Sequence, residues 1–201
     1  MGPIKVGVDL DGVLCNFSFK FSEILNKLYK SPILKDRTQI KQWNWHLWYP
    51  LPKKLIDDAW EHIIKYEYDF WVDLLPLDYT DLLTFRNEIY NNYKVDTYFI
   101  TSRVQTPGDS VVKQSQFWLN ERGFKNPSVI VSDKKGIVCD ALDISYFIDD
   151  KWDNCVEVKS RNPLCKVFCL NAEYNKEFVD NLGIIRVDNL KEFSNYIIKG
   201  M

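Results

Sequence analysis

Three short polar segments follow apolar runs in this 201-residue chain. They are Asp9-Leu10-Asp11-Gly12, then Thr101-Ser102-Arg103, then Asp149-Asp150 behind Tyr146, Phe147 and Ile148. Carboxylates gathered in one place resist ionisation unless a cation joins them. A hard divalent ion such as Mg²⁺ takes oxygen ligands and keeps several waters, so two carboxylates and a carbonyl suffice. A Thr or Ser hydroxyl and a Lys ammonium add partners for phosphate oxygens. Lys134 and Lys135 stand where a helix begins, and a helix start contributes oriented amides and positive partial charge. These parts together describe phosphoryl transfer, in which positioning and charge neutralisation do most of the catalysis. Each part alone has an ordinary explanation, since Asp-x-Asp-Gly is common in turns and Asp-Asp often ends a strand. Their order, each at the end of an apolar strand, is what carries the reading.

The elements that must position these groups follow from hydrophobic periodicity. Strands are expected over 4–9, 95–100, 128–131, 145–148, 166–170 and 184–187. Helices are expected over 17–29, 53–66, 78–93, 109–122, 135–142, 152–160, 174–181 and 190–199, with Gly123 closing one of them. Alternating strands and helices imply a parallel sheet covered on both faces, and ligands bind outside the carboxyl ends of such strands. The interval of about 85 residues between the first two strands is too long for one crossover helix. It is expected to hold an inserted helical subdomain, giving an α/β core over 1–15 and 77–201 and a helical cap over 16–76. Five of the seven tryptophans (Trp43, Trp45, Trp48, Trp60 and Trp71) fall in that insertion.

Composition narrows the function classes. A net charge of -2 gives no general electrostatic reason to bind nucleic acid or an anionic membrane, and 46% hydrophobic content excludes global disorder. The five cysteines show no CxxC pair and no disulfide pattern, and buried free thiols are the expected reading. His46 and His62 do not pair with cysteines at zinc spacing. No apolar stretch approaches the roughly 18 residues of a membrane span, and no signal peptide is read, so a cytoplasmic location is expected.

These residues resemble the haloacid dehalogenase-like (HAD) phosphohydrolase superfamily, whose four motifs occur in this order over essentially the whole chain. The matching segments are Val8-Asp9-Leu10-Asp11-Gly12-Val13-Leu14, Phe99-Ile100-Thr101, a lysine in Asp133-Lys134-Lys135-Gly136, and Phe147-Ile148-Asp149-Asp150. Within the superfamily the chain is most similar to the 5'(3')-deoxyribonucleotidase group. That placement rests on Asp11-Gly12-Val13-Leu14-Cys15-Asn16-Phe17, the segment Phe70 to Leu77, and Ile100-Thr101-Ser102-Arg103. The resemblance implies a Rossmann-like core with a small helical cap after the first strand.

It also implies roles. Asp9 would be the nucleophile forming an aspartyl-phosphate, and Asp11 the acid and then the base. Mg²⁺ would be held by Asp9, the Asp11 carbonyl and Asp149, with Asp150 in support. Thr101, Ser102, Lys135 and Arg103 would face phosphate, Lys135 being preferred to Lys134 and Arg103 equally suited to pairing with a surface acid. An acid at position 11 favours phosphate esters, because dehalogenases have no leaving oxygen to protonate. The sequence after Asp150 departs from relatives that often carry proline there, which affects the loop beside the metal. Aromatic residues of the cap would stack on a base, with Phe17, Trp43 and Trp45 as candidates, whereas the periodicity of Trp60 favours packing.

The expected activity is Mg²⁺-dependent hydrolysis of nucleoside monophosphates, a small-molecule substrate. A polynucleotide end phosphatase is disfavoured by the closing cap and the acidic chain, and a phosphatase for other small phosphometabolites of the same superfamily is the alternative. A non-catalytic nucleotide-binding module would have lost Asp9 or Asp11. Oligomeric state is left open, a homodimer included.

Overall fold

The structure, a computed structural model, describes residues 2–35, 37–178 and 182–201. Six parallel strands form one sheet in the order β3-β2-β1-β4-β5-β6. They are β1 (Ile4–Val8), β2 (Val95–Thr101), β3 (Ser128–Val131), β4 (Tyr146–Asp149), β5 (Lys166–Leu170) and β6 (Ile185–Val187). Among the described residues seven α-helices accompany them: α1 (Phe17–Tyr29), α2 (Lys53–Tyr66), α3 (Tyr79–Phe85), α4 (Val111–Asn120), α5 (Lys135–Ala141), α6 (Trp152–Arg161) and α7 (Leu190–Lys199). The strands are β-branched and aromatic, and successive residues feed opposite faces. Val8, Phe99, Ile148 and Phe168 enter one buried cluster with α7 residues Phe193 and Ile197. Ile100, Phe147, Val167 and Cys169 enter the other, beneath α5 and α6. All five cysteines are free and buried.

The strand order puts β1 between β2 and β4, so the chain reverses direction of winding beside β1. Such a switch point opens a crevice at the carboxyl ends of the strands. Val8 is in register with Phe99 of β2 and with Ile148 of β4. The residues that follow, Asp9 and Asp149, are therefore neighbours by backbone geometry, and Asp9 N donates to the Ile148 carbonyl at 3.0 Å.

Between β1 and β2 the chain leaves at Cys15 and returns at Pro76, and the two stems are bridged as antiparallel neighbours. Asn16 N donates to Leu75 O and Leu77 N to Leu14 O, both at 2.8 Å. Asn16 also caps α1 by accepting from Phe19 N, which fixes where the helix starts. Phe21, Ile24 and Leu25 of α1 and Ile56, Ala59 and Ile63 of α2 are buried. Full burial of Phe21 is worth roughly 1.5–3 kcal/mol.

Two expected helices differ from the structure. The helix expected over 78–93 is α3 followed by a π-helical turn at Arg86–Tyr90. The helix expected over 174–181 is only a 3₁₀ turn at Glu173–Asn175, and its last three residues lie outside the described ones. The Asn175 side chain explains the early stop: it accepts from Ala172 N at 3.0 Å and donates to Asp150 O and Leu170 O at 2.8 Å. Asn side chains that satisfy nearby backbone groups compete with helix. No helix among the described residues is long and apolar enough to cross a membrane.

Candidate active site

At the carboxyl ends of β1 and β4, three buried carboxylates converge. Oxygens of Asp9, Asp149 and Asp150 all lie within 4.8 Å of one another. Lys135 completes the group, its Nζ 2.7 Å from Asp9 Oδ1 and 2.7 Å from Asp149 Oδ2. Lys135 is itself buried, because Gly136 lets α5 approach α6 closely. A Cβ on Gly136 would stand 2.9 Å from the Glu157 carbonyl oxygen and 2.8 Å from its Cγ. Lys134, by contrast, faces solvent beside Asp133.

Asp149 is held from the other side by the start of α6. Its Oδ1 accepts from Lys151 N at 2.8 Å, and Asn154 Nδ2 reaches both oxygens at 3.2 and 3.0 Å. Asp150 accepts from the Tyr174 hydroxyl through Oδ2. Gly12, at φ +84°, runs against the same carboxylate, where a Cβ would stand 1.9 Å from Oδ2. Only glycine suits that close approach and that backbone region.

Burial pushes the Asp9 carboxyl well above its ordinary value; Lys135 opposes the shift, and Asp149 and Asp150 add to it. Burial and then the Asp149 charge push Asp150 up to about 7. Burial disfavours the Lys135 cation, but Asp149 and Asp9 outweigh it and keep the ammonium charged. One cation thus faces three carboxylates, a deficit of positive charge at the centre of the site. Asp150 Oδ1 is moreover buried without a hydrogen-bond partner among the described residues. An all-oxygen donor set with an unpartnered, buried oxygen fits a hard divalent cation such as Mg²⁺.

Asp11 stands beside this cluster, with Thr101 Oγ1 3.4 Å from its Oδ2. Arg103, expected on phosphate or a surface acid, is instead buried with its guanidinium forked onto Asp11. Ser102 is exposed and donates to the Ser132 carbonyl at 3.1 Å. Among the aromatic candidates, Phe17 stacks on Phe21, Trp60 and Trp71 with ring centroids 5.5, 5.4 and 6.0 Å away. Trp45, expected at the substrate, is turned into a ring cluster with Phe21, Trp48 and Tyr49. Trp43 is 48% exposed and stands edge-on to Tyr174 at 5.6 Å, with Lys151 Nζ 5.0 Å from its ring centre.

Sequence reasoning missed the roles of Tyr174, Asn175 and Asn154. Asn154 carried a signal, sitting in the first turn of the helix after Asp149-Asp150. Tyr174 and Asn175 carried none, because only tertiary folding brings them across 24 and 25 residues to Asp150.

A parallel sheet with an aspartate after its central strand, answered by a buried lysine and paired aspartates, has the fold of solved haloacid dehalogenase-like hydrolases. Solved structures share the fold. A predicted phosphatase from Clostridium acetobutylicum matches at TM-score 0.60 and 14% identity, covering 99% of this chain and 100% of that one. A haloacid dehalogenase-like hydrolase from Streptococcus pneumoniae matches at 0.59 and 12%, covering 97% and 98%. A HAD family hydrolase from Deinococcus radiodurans, solved with bound phosphate and sodium, matches at 0.59 and 11%, covering 99% and 97%. No curated protein matches the chain. A family model, 5' nucleotidase, deoxy (pyrimidine), cytosolic type C protein, matches residues 2–200. The chain belongs to that family and is a phosphoric monoester hydrolase of the 5'-nucleotidase type.

Proposed function

We propose that the protein hydrolyses nucleoside monophosphates, deoxyribonucleotides foremost, in a Mg²⁺-dependent reaction through an aspartyl-phosphate on Asp9, in the cytoplasm. The observation that carries this is the placement of Asp9 against Lys135, Asp149 and Asp150, with Asp11 two residues on. Asp9, Asp149 and Asp150 would hold the cation through their carboxylates and Asp11 through its carbonyl. When bound, the cation supplies the positive charge the cluster lacks and shields the phosphate dianion from the carboxylates.

The steps belong to the side chains. An Asp9 oxygen attacks phosphorus while the ester oxygen leaves, taking a proton from Asp11. Asp11 then removes a proton from water, which attacks phosphorus and frees Asp9 and inorganic phosphate. Lys135 and the Thr101 hydroxyl donate to phosphate oxygens where charge builds. Residues 16–76 act as the cap, with Trp43, exposed, and Phe17, partly buried among its neighbouring rings, as the base-reading rings. A base stacked on either ring gains about 1–3 kcal/mol.

The test is phosphate release from a panel of deoxyribonucleotides, ribonucleotides, sugar phosphates and a 3'-phosphorylated oligonucleotide, in Mg²⁺ and in EDTA. Deoxyribonucleoside monophosphates should be fastest and EDTA should abolish release. Activity that survives EDTA sinks the metal assignment; preference for sugar phosphates sinks only the substrate.

A further inference from the structure

Arg103 lies two residues beyond Thr101 and is buried despite its charge. A buried guanidinium is costly unless its donors are matched. Nε donates to Asp11 Oδ2 and Nη2 to Asp11 Oδ1, both at 2.9 Å. Nη1 donates to Ser115 Oγ of α4 at 2.9 Å, and Nη2 also reaches Cys15 Sγ at 3.1 Å. The guanidinium carbon stands 4.8 Å from the centre of the Trp71 ring. Trp71 is itself pinned, its Nε1 donating to Val104 O at 2.9 Å and its backbone N to Gln114 Oε1 at 3.1 Å.

This fork is committed to a carboxylate and not to phosphate. The carboxylate is still usable: it offers roughly four lone-pair sites, and a bidentate arginine takes one on each oxygen. The Arg103 side chain is wholly buried, whereas that of Asp11 keeps 21% exposure, so the open side of the pair is the carboxylate. A lysine could neutralise Asp11 but could not fix its plane.

We propose that Arg103 is a positioning residue for the acid–base step: it locks the plane of the Asp11 carboxylate toward the leaving group, and Ser115, Cys15 and Trp71 hold the lock. Trp71 also stacks on Phe17, so the same lock joins the aromatic insertion to the acid. The proposal rests on the reading of Asp11 as acid and base.

Its test uses the full chain with Arg103→Met, Arg103→Lys, Asp11→Asn and the Asp11→Asn/Arg103→Lys double variant, each checked for folding by circular dichroism. Two substrates are compared: a deoxyribonucleoside 5'-monophosphate, whose alkoxide needs a proton to leave, and 2,4-dinitrophenyl phosphate, whose phenolate does not. Arg103→Lys should lower kcat on the nucleotide by about 10²–10³-fold, the range of acid–base catalysis, with KM changed by less than about threefold. First-turnover release of dinitrophenolate should stay within about fivefold of wild type. Adding Arg103→Lys to Asp11→Asn should cost less than about a further twofold, as expected for residues acting as one unit. Equal losses on both substrates, or a large further loss in the Asp11→Asn background, would overturn the proposal. If Arg103→Met fails to fold, Arg103→Lys decides. If the wild type ignores nucleotides but cleaves another alkyl phosphate, the nucleotide reading falls and the same comparison on that ester decides Arg103. Full nucleotide activity in Asp11→Asn removes the acid–base reading and the proposal together.

Discussion

The carboxylate cluster at the sheet end and the aromatic insertion between Cys15 and Pro76 hold their side chains in different ways. Asp9 and Asp149 are fixed by the backbone of adjacent strands, and Lys135 by a helix start that Gly136 lets in close. In the insertion, rings are fixed by other rings: Phe21 meets Phe17, Trp45 and Trp60, and Trp45 meets Trp48 and Tyr49. Such ring pairs add about 0.5–1.5 kcal/mol each beyond area burial. Charge-assisted hydrogen bonds at 2.7 Å demand fixed positions, because they need a set length and an aligned donor and acceptor. Aromatic packing tolerates more rearrangement, so most of the insertion's rings serve its own core.

The hardest blow to the charged region is Asp9→Asn, which keeps shape and removes the nucleophile. Phosphate release should fall by at least about 10⁴-fold, as when other nucleophiles are removed, with an unchanged circular dichroism spectrum. Retention of more than about 1% of activity places the nucleophile elsewhere. Gly12→Ala comes next. Its methyl group must displace Asp150, so calorimetric Mg²⁺ affinity should drop by about 10–100-fold. Wild-type affinity in that variant breaks the claim that the sheet-end backbone sets the cluster.

The same contrast governs what could be read from sequence. Strand 166–170 and helices 17–29, 53–66 and 190–199 match their expected limits, because their apolar residues are the buried ones, and strand 128–131 matches its limits although none of its residues is fully buried. Asp9 and Asp149 were legible as members of one site, since each follows an apolar strand and the family resemblance joins them, but the strand order that makes them neighbours was not. The partner of Arg103 was not legible, since Asp11 lies 92 residues away and an arginine after a strand suits a phosphate equally well. The short turn at Glu173–Asn175 was misjudged for a related reason: the hydrogen bonds of Asn175 run to Asp150 and Leu170, which local periodicity cannot show. Trp43 and Trp45, two residues apart, looked alike in sequence and have different surroundings in the fold.

That pair sharpens the contrast within the insertion. Trp45→Ala should cost about 2 kcal/mol in urea unfolding, for a partly buried ring removed from a cluster. Trp43→Ala should change stability by no more than about 0.5 kcal/mol, as at exposed sites, while raising the nucleotide KM about tenfold through lost stacking. The reverse pattern would make Trp43 the structural ring and Trp45 the reader.

The smallest effect returns to the charged region without its cation. Burial and Asp149 raise Asp150 from an ordinary 3.8 to about 7 in the folded chain, and burial also raises Asp9. Between those two values the native state binds more protons than the unfolded state, so these groups make stability fall as pH rises. Their penalty is absent below about pH 4 and complete for Asp150 above about pH 7. In EDTA, Tm should therefore drop by several degrees between about pH 5 and pH 8. Added Mg²⁺ should restore most of that loss at pH 8 and little at pH 5, because a cation binds the ionised carboxylates. Thermal scans in matched buffers decide it. A Tm that climbs from pH 5 to pH 8 in EDTA would mean that the carboxylates are already neutralised by the fold alone, and that sheet end and insertion are equally self-sufficient.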